Sequence, residues 1–315
     1  MGEERIASKG SVLLTGASGQ VGGELLRTLA DFGEILAPSR AELDLAQPEL
    51  VREWIHAHRP RWIVNPGAYT AVDKAESEPD LAYAVNEKTV AAIGEEAQKI
   101  GAAVIHFSTD YVYAGLGTKP YVETDATDPT SVYGASKLAG EQALAASGAV
   151  HLIFRTSWVY GATGKNFLLT IRKLARERES LRIVADQYGA PTWSRDLAEM
   201  TAAVMAQCED MATRRSQSLA ETVKAVGGVY HAVGAGETTW YGFAAEAIEQ
   251  MRRQDSAVPL ATLEGIATSE YPTPARRPAN SRLDCTKLES TFHWRMPDWQ
   301  QSLRRVTNEL DDSSD

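Results

Sequence analysis

An open, doubly wound parallel α/β sheet followed by a smaller mixed α/β lobe is the fold this sequence predicts, on three observations. Short apolar runs alternate with helix-length amphipathic segments through the first half of the chain. A glycine-rich turn, Gly16-Ala-Ser-Gly19-Gln-Val-Gly22, directly follows the first apolar run and opens the first helical segment. Beyond residue 160 the alternation becomes irregular.

The runs 12–15 (VLLT), 35–38 (ILAP), 62–65 (WIVN), 103–108 (AVIHFS) and 152–155 (LIFR) lack polar alternation, the mark of strands covered on both faces. Segments 20–32, 48–58, 79–100 and 131–147 lie between them and are long enough to be the crossover helices. Right-handed crossovers between parallel strands then give a Rossmann-type sheet. The second half reads as a helix at 166–177, a strand at 181–185, a helix at 194–207 and a strand at 228–232. Residues 214–222 (RRSQSLAET) are expected to be polar and exposed, and 311–315 (DDSSD) to be a flexible tail. The expected division is an N-terminal extension at 1–10 and a dinucleotide-binding domain at 11–160, with a return of 191–235. Residues 161–190 and 236–310 form the substrate-binding lobe.

Composition narrows the function classes. The 315 residues, 43% hydrophobic and 23% charged, suit about two folded domains and exclude a disordered or coiled-coil chain. A net charge of −10 repels phosphate backbones and anionic lipid, so neither nucleic acid nor a membrane is an expected partner. Any phosphate must be met by a local device. Cys208 and Cys285 lack metal-site spacing, and two cysteines make no disulfide framework. Without an apolar leader or an 18-residue apolar stretch, a cytoplasmic soluble protein is expected.

The glycine turn is that local device. At a first strand-to-helix junction, backbone N–H groups and the positive end of a helix dipole face the carboxyl edge of the sheet, where a pyrophosphate docks. Gly16 permits the tight turn, Gly19 brings backbone close to phosphate, and Gly22 lets helix pack on strand. Gly16, Ser18, Gly19, Gln20, Val21 and Gly22 are therefore cofactor-binding candidates. Ser39-Arg40 stands where an acidic residue would select NAD, and a hydroxyl and guanidinium suit a 2′-phosphate. NADPH is expected, with NADH also accepted because Glu42 and Asp44 lie close by.

Tyr133-Gly-Ala-Ser-Lys137 opens the helix after the fourth strand, and its i, i+4 spacing puts phenol and ammonium on one face. The ammonium is expected to lower the phenol's pKa and make Tyr133 a general acid, and Lys137 also to hold the nicotinamide ribose. Thr109, at the end of that strand, would donate to the same carbonyl oxygen.

With these motifs in order, the chain resembles an extended short-chain dehydrogenase/reductase. Residues 65–76 (NPGAYTAVDKAE), 108–113 (STDYVY), 155–161 (RTSWVYG), 186–192 (DQYGAPT) and 272–283 (PTPARRPANSRL) narrow the resemblance to the dTDP-4-dehydrorhamnose reductases. That resemblance implies NAD(P)H-dependent reduction of the C4 ketone of a dTDP-linked 6-deoxyhexulose, with Thr109, Tyr133 and Lys137 catalytic. It places Val72, Thr109, Asp110, Tyr111 and Trp158 against the sugar and Asp44, Leu45, Gly67, Ala68 and Tyr69 against the cofactor. From chemistry alone, Trp158 suits an apolar wall or a core position, and Asn166 and either Arg276 or Arg277 suit a pyrophosphate oxygen. Glu24 matches a glutamate that holds a dimer-bridging Mg2+ in some members. Arg195 replaces another and opposes metal, so no Mg2+ is expected and a monomer is favoured over a homodimer. The rivals are a reductase or epimerase of another nucleotide sugar and a non-catalytic NADP-binding regulatory subunit.

Overall fold

The computed structural model describes residues 10–254 and 259–312. The strands β1 (Ser11–Leu14), β2 (Glu34–Leu36), β3 (Trp62–Asn65), β4 (Ala103–Thr109), β5 (His151–Thr156) and the later strand Gly228–His231 join in one sheet. Its order is Gly228–His231, β5, β4, β3, β1, β2, with every neighbouring pair parallel.

The apolar runs follow from burial on both faces. Successive strand side chains alternate, and Val12, Leu13 and Leu14 are all buried. On one face Val12 and Leu14 pack with Leu25 of α1 (Gln20–Thr28) and with Leu197, Met200 and Val204 of the helix Ser194–Arg215. On the other, Leu13 meets Val51 and Ile55 of α2 (Pro48–His58), Ile93 of Thr89–Ile100 and Leu144 of Val132–Ala146.

In the smaller lobe, Ser180–Val184 pairs in parallel with Thr262–Ile266. Tyr160, Trp193, Phe243 and Trp299 form its aromatic core. From β1 the sheet grows toward β2 on one side and β3 on the other, so a crevice opens above their carboxyl ends. Among the described residues no helix is long and apolar enough to cross a membrane.

Local departures from expectation have physical causes. Segment 79–100 is not one helix: a π turn, Ala84–Lys88, divides Pro79–Tyr83 from Thr89–Ile100. There the buried Asn86 amide accepts from Tyr69 N at 2.9 Å and donates to Tyr69 O and Ser136 Oγ. The helix expected to end at 207 continues to Arg215. Ser218 then caps Leu219–Val226 in a capping box with Glu221; residues 214–218 are exposed as expected, while Thr222 is buried. At the C-terminus, residues 311 and 312 are the last turn of the helix Trp299–Asp312 rather than a tail, and Asp311 accepts from Arg172 at 2.6 Å. Residues 1–9 of the expected extension and 313–315 of the tail lie outside the described residues.

Candidate active site

Two adjoining cavities, of about 520 and 560 Å3, fill the crevice and share Gly16, Ser18, Gly67 and Ala68. The junction depends on glycine. Gly16 has φ +58°, and a Cβ there would lie 2.7 Å from Gly67 Cα; one on Gly22 would lie 2.1 Å from Gly16 O. Gly19 caps α1 without any side-chain bond, and no acidic residue occupies the first turn, so the N–H groups at the helix start are free of competing carboxylates. This cradle fits an anionic dinucleotide.

The first cavity brings together Ser39, Arg40, Asp44, Leu45 and Tyr69, and adds Leu43, Leu81 and Val85, which the sequence reading missed. Ser39 donates from both N and Oγ to Glu42, each at 2.8 Å, while the exposed Arg40 lies 3.7 Å from Asp44. The strand end therefore presents acid and base side by side.

The second cavity is lined by the rest of the glycine turn and by Val72, Thr109, Asp110, Tyr111, Tyr133, Lys137 and Trp158. Thr109 ends β4, and its Oγ1 accepts from Tyr111 N at 3.2 Å and donates to Asp110 Oδ1 at 3.0 Å. Ser131 caps the helix carrying Tyr133 and Lys137, accepting from Gly134 N. A buried ion pair, Arg155 to Glu141 at 2.6 Å, ties that helix to β5. Tyr111 meets Tyr133 edge-on, with ring centroids 5.4 Å apart.

The electrostatics correct one expectation. Burial pushes the Tyr133 phenol up to about 12, against a hydrogen bond with Thr109. Lys137 does not lower it: its Nζ donates to Phe107 O at 2.6 Å and lies 3.2 Å from His106 Nε2. Burial draws Lys137 itself down to about 8, Glu141 opposing, and raises the Asp110 carboxyl to about 6. Among the described residues Asp110 Oδ2 has no hydrogen-bond partner.

Three further candidates have these surroundings. Trp158 has φ +49°, and its indole stacks on Trp240 with centroids 3.7 Å apart. It also presses on Gly189, where a Cβ would come within 2.7 Å of its ring. Trp240 lines the same cavity, yet sequence reading missed it; the aromatic cluster 240–243 (WYGF) was the available signal. Asn166 caps Phe167–Glu177, and its Nδ2 donates to Gln20 Oε1 and Gly161 O, both at 2.9 Å. Arg277 Nη2 donates to Asp73 Oδ2 at 2.6 Å, leaving Nη1 buried and unpaired among the described residues, while Arg276 is exposed.

Glu24 is engaged by Arg195 at 3.0 Å and Arg27 at 3.2 Å, and Arg195 also donates to Glu309 at 2.7 Å. No group of three His, Cys, Asp or Glu side chains suited to a metal occurs among the described residues.

Residues 10–312 match the family model described as RmlD substrate binding domain. The chain is 46% identical over 304 residues to the dTDP-4-dehydrorhamnose reductase of Escherichia coli strain K12, covering 95% of this chain and 98% of that one. The crystal structure of dTDP-4-dehydrorhamnose reductase from Bacillus anthracis in complex with NADP superposes with a TM-score of 0.84 at 32% identity, covering 95% and 99% of the two chains. UDP-glucose 4-epimerase of Thermus thermophilus in complex with NAD, at 19% identity and a TM-score of 0.75 over 96% and 99%, shares the fold. The chain belongs to the RmlD substrate binding domain family.

Proposed function

We propose that this chain reduces the C4 ketone of dTDP-4-dehydro-L-rhamnose with NADPH, giving dTDP-L-rhamnose. The observation that carries the reading is the meeting of Thr109, Tyr133 and Lys137 in the cavity that adjoins the glycine cradle. Bound NADPH supplies the hydride.

The residues of the chain do the rest. Tyr133, protonated across the neutral range because burial holds its phenol near 12, gives the proton to the ketone oxygen. Thr109 donates to the same oxygen when its hydroxyl turns from Asp110 Oδ1 to the substrate, so two donors meet the developing charge. Lys137 holds the nicotinamide ribose. Gly16, Ser18, Gly19, Gln20, Val21 and Gly22 hold the pyrophosphate; Ser39, Arg40, Asp44, Leu45, Gly67, Ala68 and Tyr69 hold the adenosine half, with NADH also accepted. Val72, Asp110, Tyr111 and Trp158 face the sugar, and Asn166 and Arg277 orient its diphosphate. The reading includes a cytoplasmic monomer.

Absorbance of NADPH followed with purified protein and the dTDP-linked 4-ketosugar tests this. Turnover is expected. NADPH binding without turnover of any nucleotide-linked ketosugar would overturn the reading in favour of a regulatory subunit.

A further inference from the structure

His106 is fully buried in the middle of β4, and the chemistry above makes no use of it. It sits within a chain of polar groups under the crevice. Gly67 N donates to Thr15 Oγ1 at 3.3 Å, and Thr15 Oγ1 donates to Asn65 Oδ1 at 2.5 Å. Asn65 Nδ2 lies 3.0 Å from His106 Nδ1, and His106 Nε2 lies 3.2 Å from Lys137 Nζ. Thr15, Asn65, His106 and Lys137 are all buried. An unbonded polar group in such a place costs about 1–3 kcal/mol, so each must find its complement.

A neutral imidazole carries one proton, and the Asn65 amide decides where. With Nδ2 toward His106, the ring proton lies on Nε2 and faces a neutral Lys137 amine. With Oδ1 toward His106, it lies on Nδ1, Nε2 accepts from the ammonium, and Thr15 Oγ1, which donates to Oδ1 in the structure, accepts from Asn65 Nδ2 instead. Both arrangements keep each ring nitrogen bonded, and they differ by one proton, which Lys137 releases to the crevice it lines.

We propose that His106 is a positioning residue which, by exchanging tautomer against Asn65, keeps Lys137 bonded and in place in both of its charge states. The chain of bonds also ties Lys137 to the backbone of Gly67 on the far side of the crevice. Burial supports the switch: it holds His106 neutral and brings the Lys137 ammonium down to about 8, where both charge states are populated. The other titratable groups here are Tyr133 and Glu141 on the lysine's own helix, Asp110 after β4, and Arg155 and His151 on β5, with Arg155 paired to Glu141. The inference rests on the reading of Lys137 as a functional residue, and its first test needs no substrate.

In nucleotide-free protein, 15N shifts of the His106 ring are followed from pH 6 to 10, assigned by their loss in His106→Gln. The expected pattern is an unprotonated Nε2 below about pH 8 and an unprotonated Nδ1 above it, a change missing in Lys137→Met. A ring holding one pattern throughout overturns the proposal. In turnover, His106→Phe is expected to lower kcat at least tenfold, leave KM for NADPH within threefold, and move the alkaline limb of the profile to lower pH. His106→Gln, whose amide either accepts or donates, recovers at least threefold of that loss. A folded His106→Phe protein with wild-type kcat and pH profile overturns the proposal. Wild-type protein that binds NADPH but reduces no ketosugar defeats the functional reading alone and leaves the ring measurement standing.

Discussion

Replacing Trp158 separates strain from binding. The residue sits at φ +49°, a conformation that a side chain bearing Cβ adopts at about 1–2 kcal/mol per residue. Its ring also stacks on Trp240 at 3.7 Å, a pairing worth roughly 0.5–1.5 kcal/mol beyond its area. Trp158→Ala deletes the ring and keeps the strain; Trp158→Gly deletes both. Glycine's extra freedom in the unfolded chain, about 0.4–1 kcal/mol, offsets part of the relief. The glycine variant should therefore be the more stable of the two by roughly 0.5–1 kcal/mol, read as a higher urea midpoint at unchanged slope. Both variants lose the same cavity wall, so both should lose kcat/KM for the ketosugar by about tenfold, the equivalent of about 1.4 kcal/mol. A glycine variant less stable than the alanine variant refutes the strain argument. Wild-type kcat/KM in both would make Trp158 a packing residue only.

Tyr133→Phe removes the proton donor alone, so turnover should fall at least a hundredfold while NADPH titrated by its fluorescence still binds within threefold; retention of a tenth of the rate would exclude the role. Arg40→Ala should weaken NADPH and not NADH, and a wild-type enzyme with higher kcat/KM for NADH would contradict the reading of Ser39-Arg40. Asp110, raised by burial from 3.8 to about 6, favours the folded state only while protonated. Its stabilisation is complete below about 3.8 and is lost as pH rises through about 6, so Asp110→Asn should raise the melting temperature at pH 8 more than at pH 5; an equal effect at both would show no raised carboxyl. Excess EDTA should leave activity and sedimentation unchanged, since Arg195 occupies the space between Glu24 and Glu309; a lower mass with loss of turnover would contradict this.

Strands and glycine turn were legible because each rests on a local rule. Leu13 and its neighbours are apolar since both faces of the sheet are covered, and Gly16 is glycine because its backbone is left-handed and touches Gly67. Tyr133, Lys137 and Thr109 were legible from their place relative to predicted strand ends. What escaped depends on partners distant in sequence. The π turn at 84–88 exists because Asn86 reaches Tyr69 and Ser136, which helix periodicity does not encode. Trp240 joins Trp158 only after the smaller lobe folds back, and His106 hides within a run that reads as plain strand. The Tyr133 phenol was misjudged because spacing puts an ammonium on its helix face and says nothing of burial, which raises the phenol.

The strand Gly228–His231 completes the sheet by pairing with β5, yet it is made about seventy residues later. While the ribosome adds that stretch, at roughly 5–20 residues per second, β5 is an open edge for about 4 to 14 s. Leu152, Ile153 and Phe154 lie on that edge, and unpaired apolar edges recruit other chains. The interval between making β5 and closing it is thus the period in which the nascent polypeptide depends most on being kept apart from its neighbours.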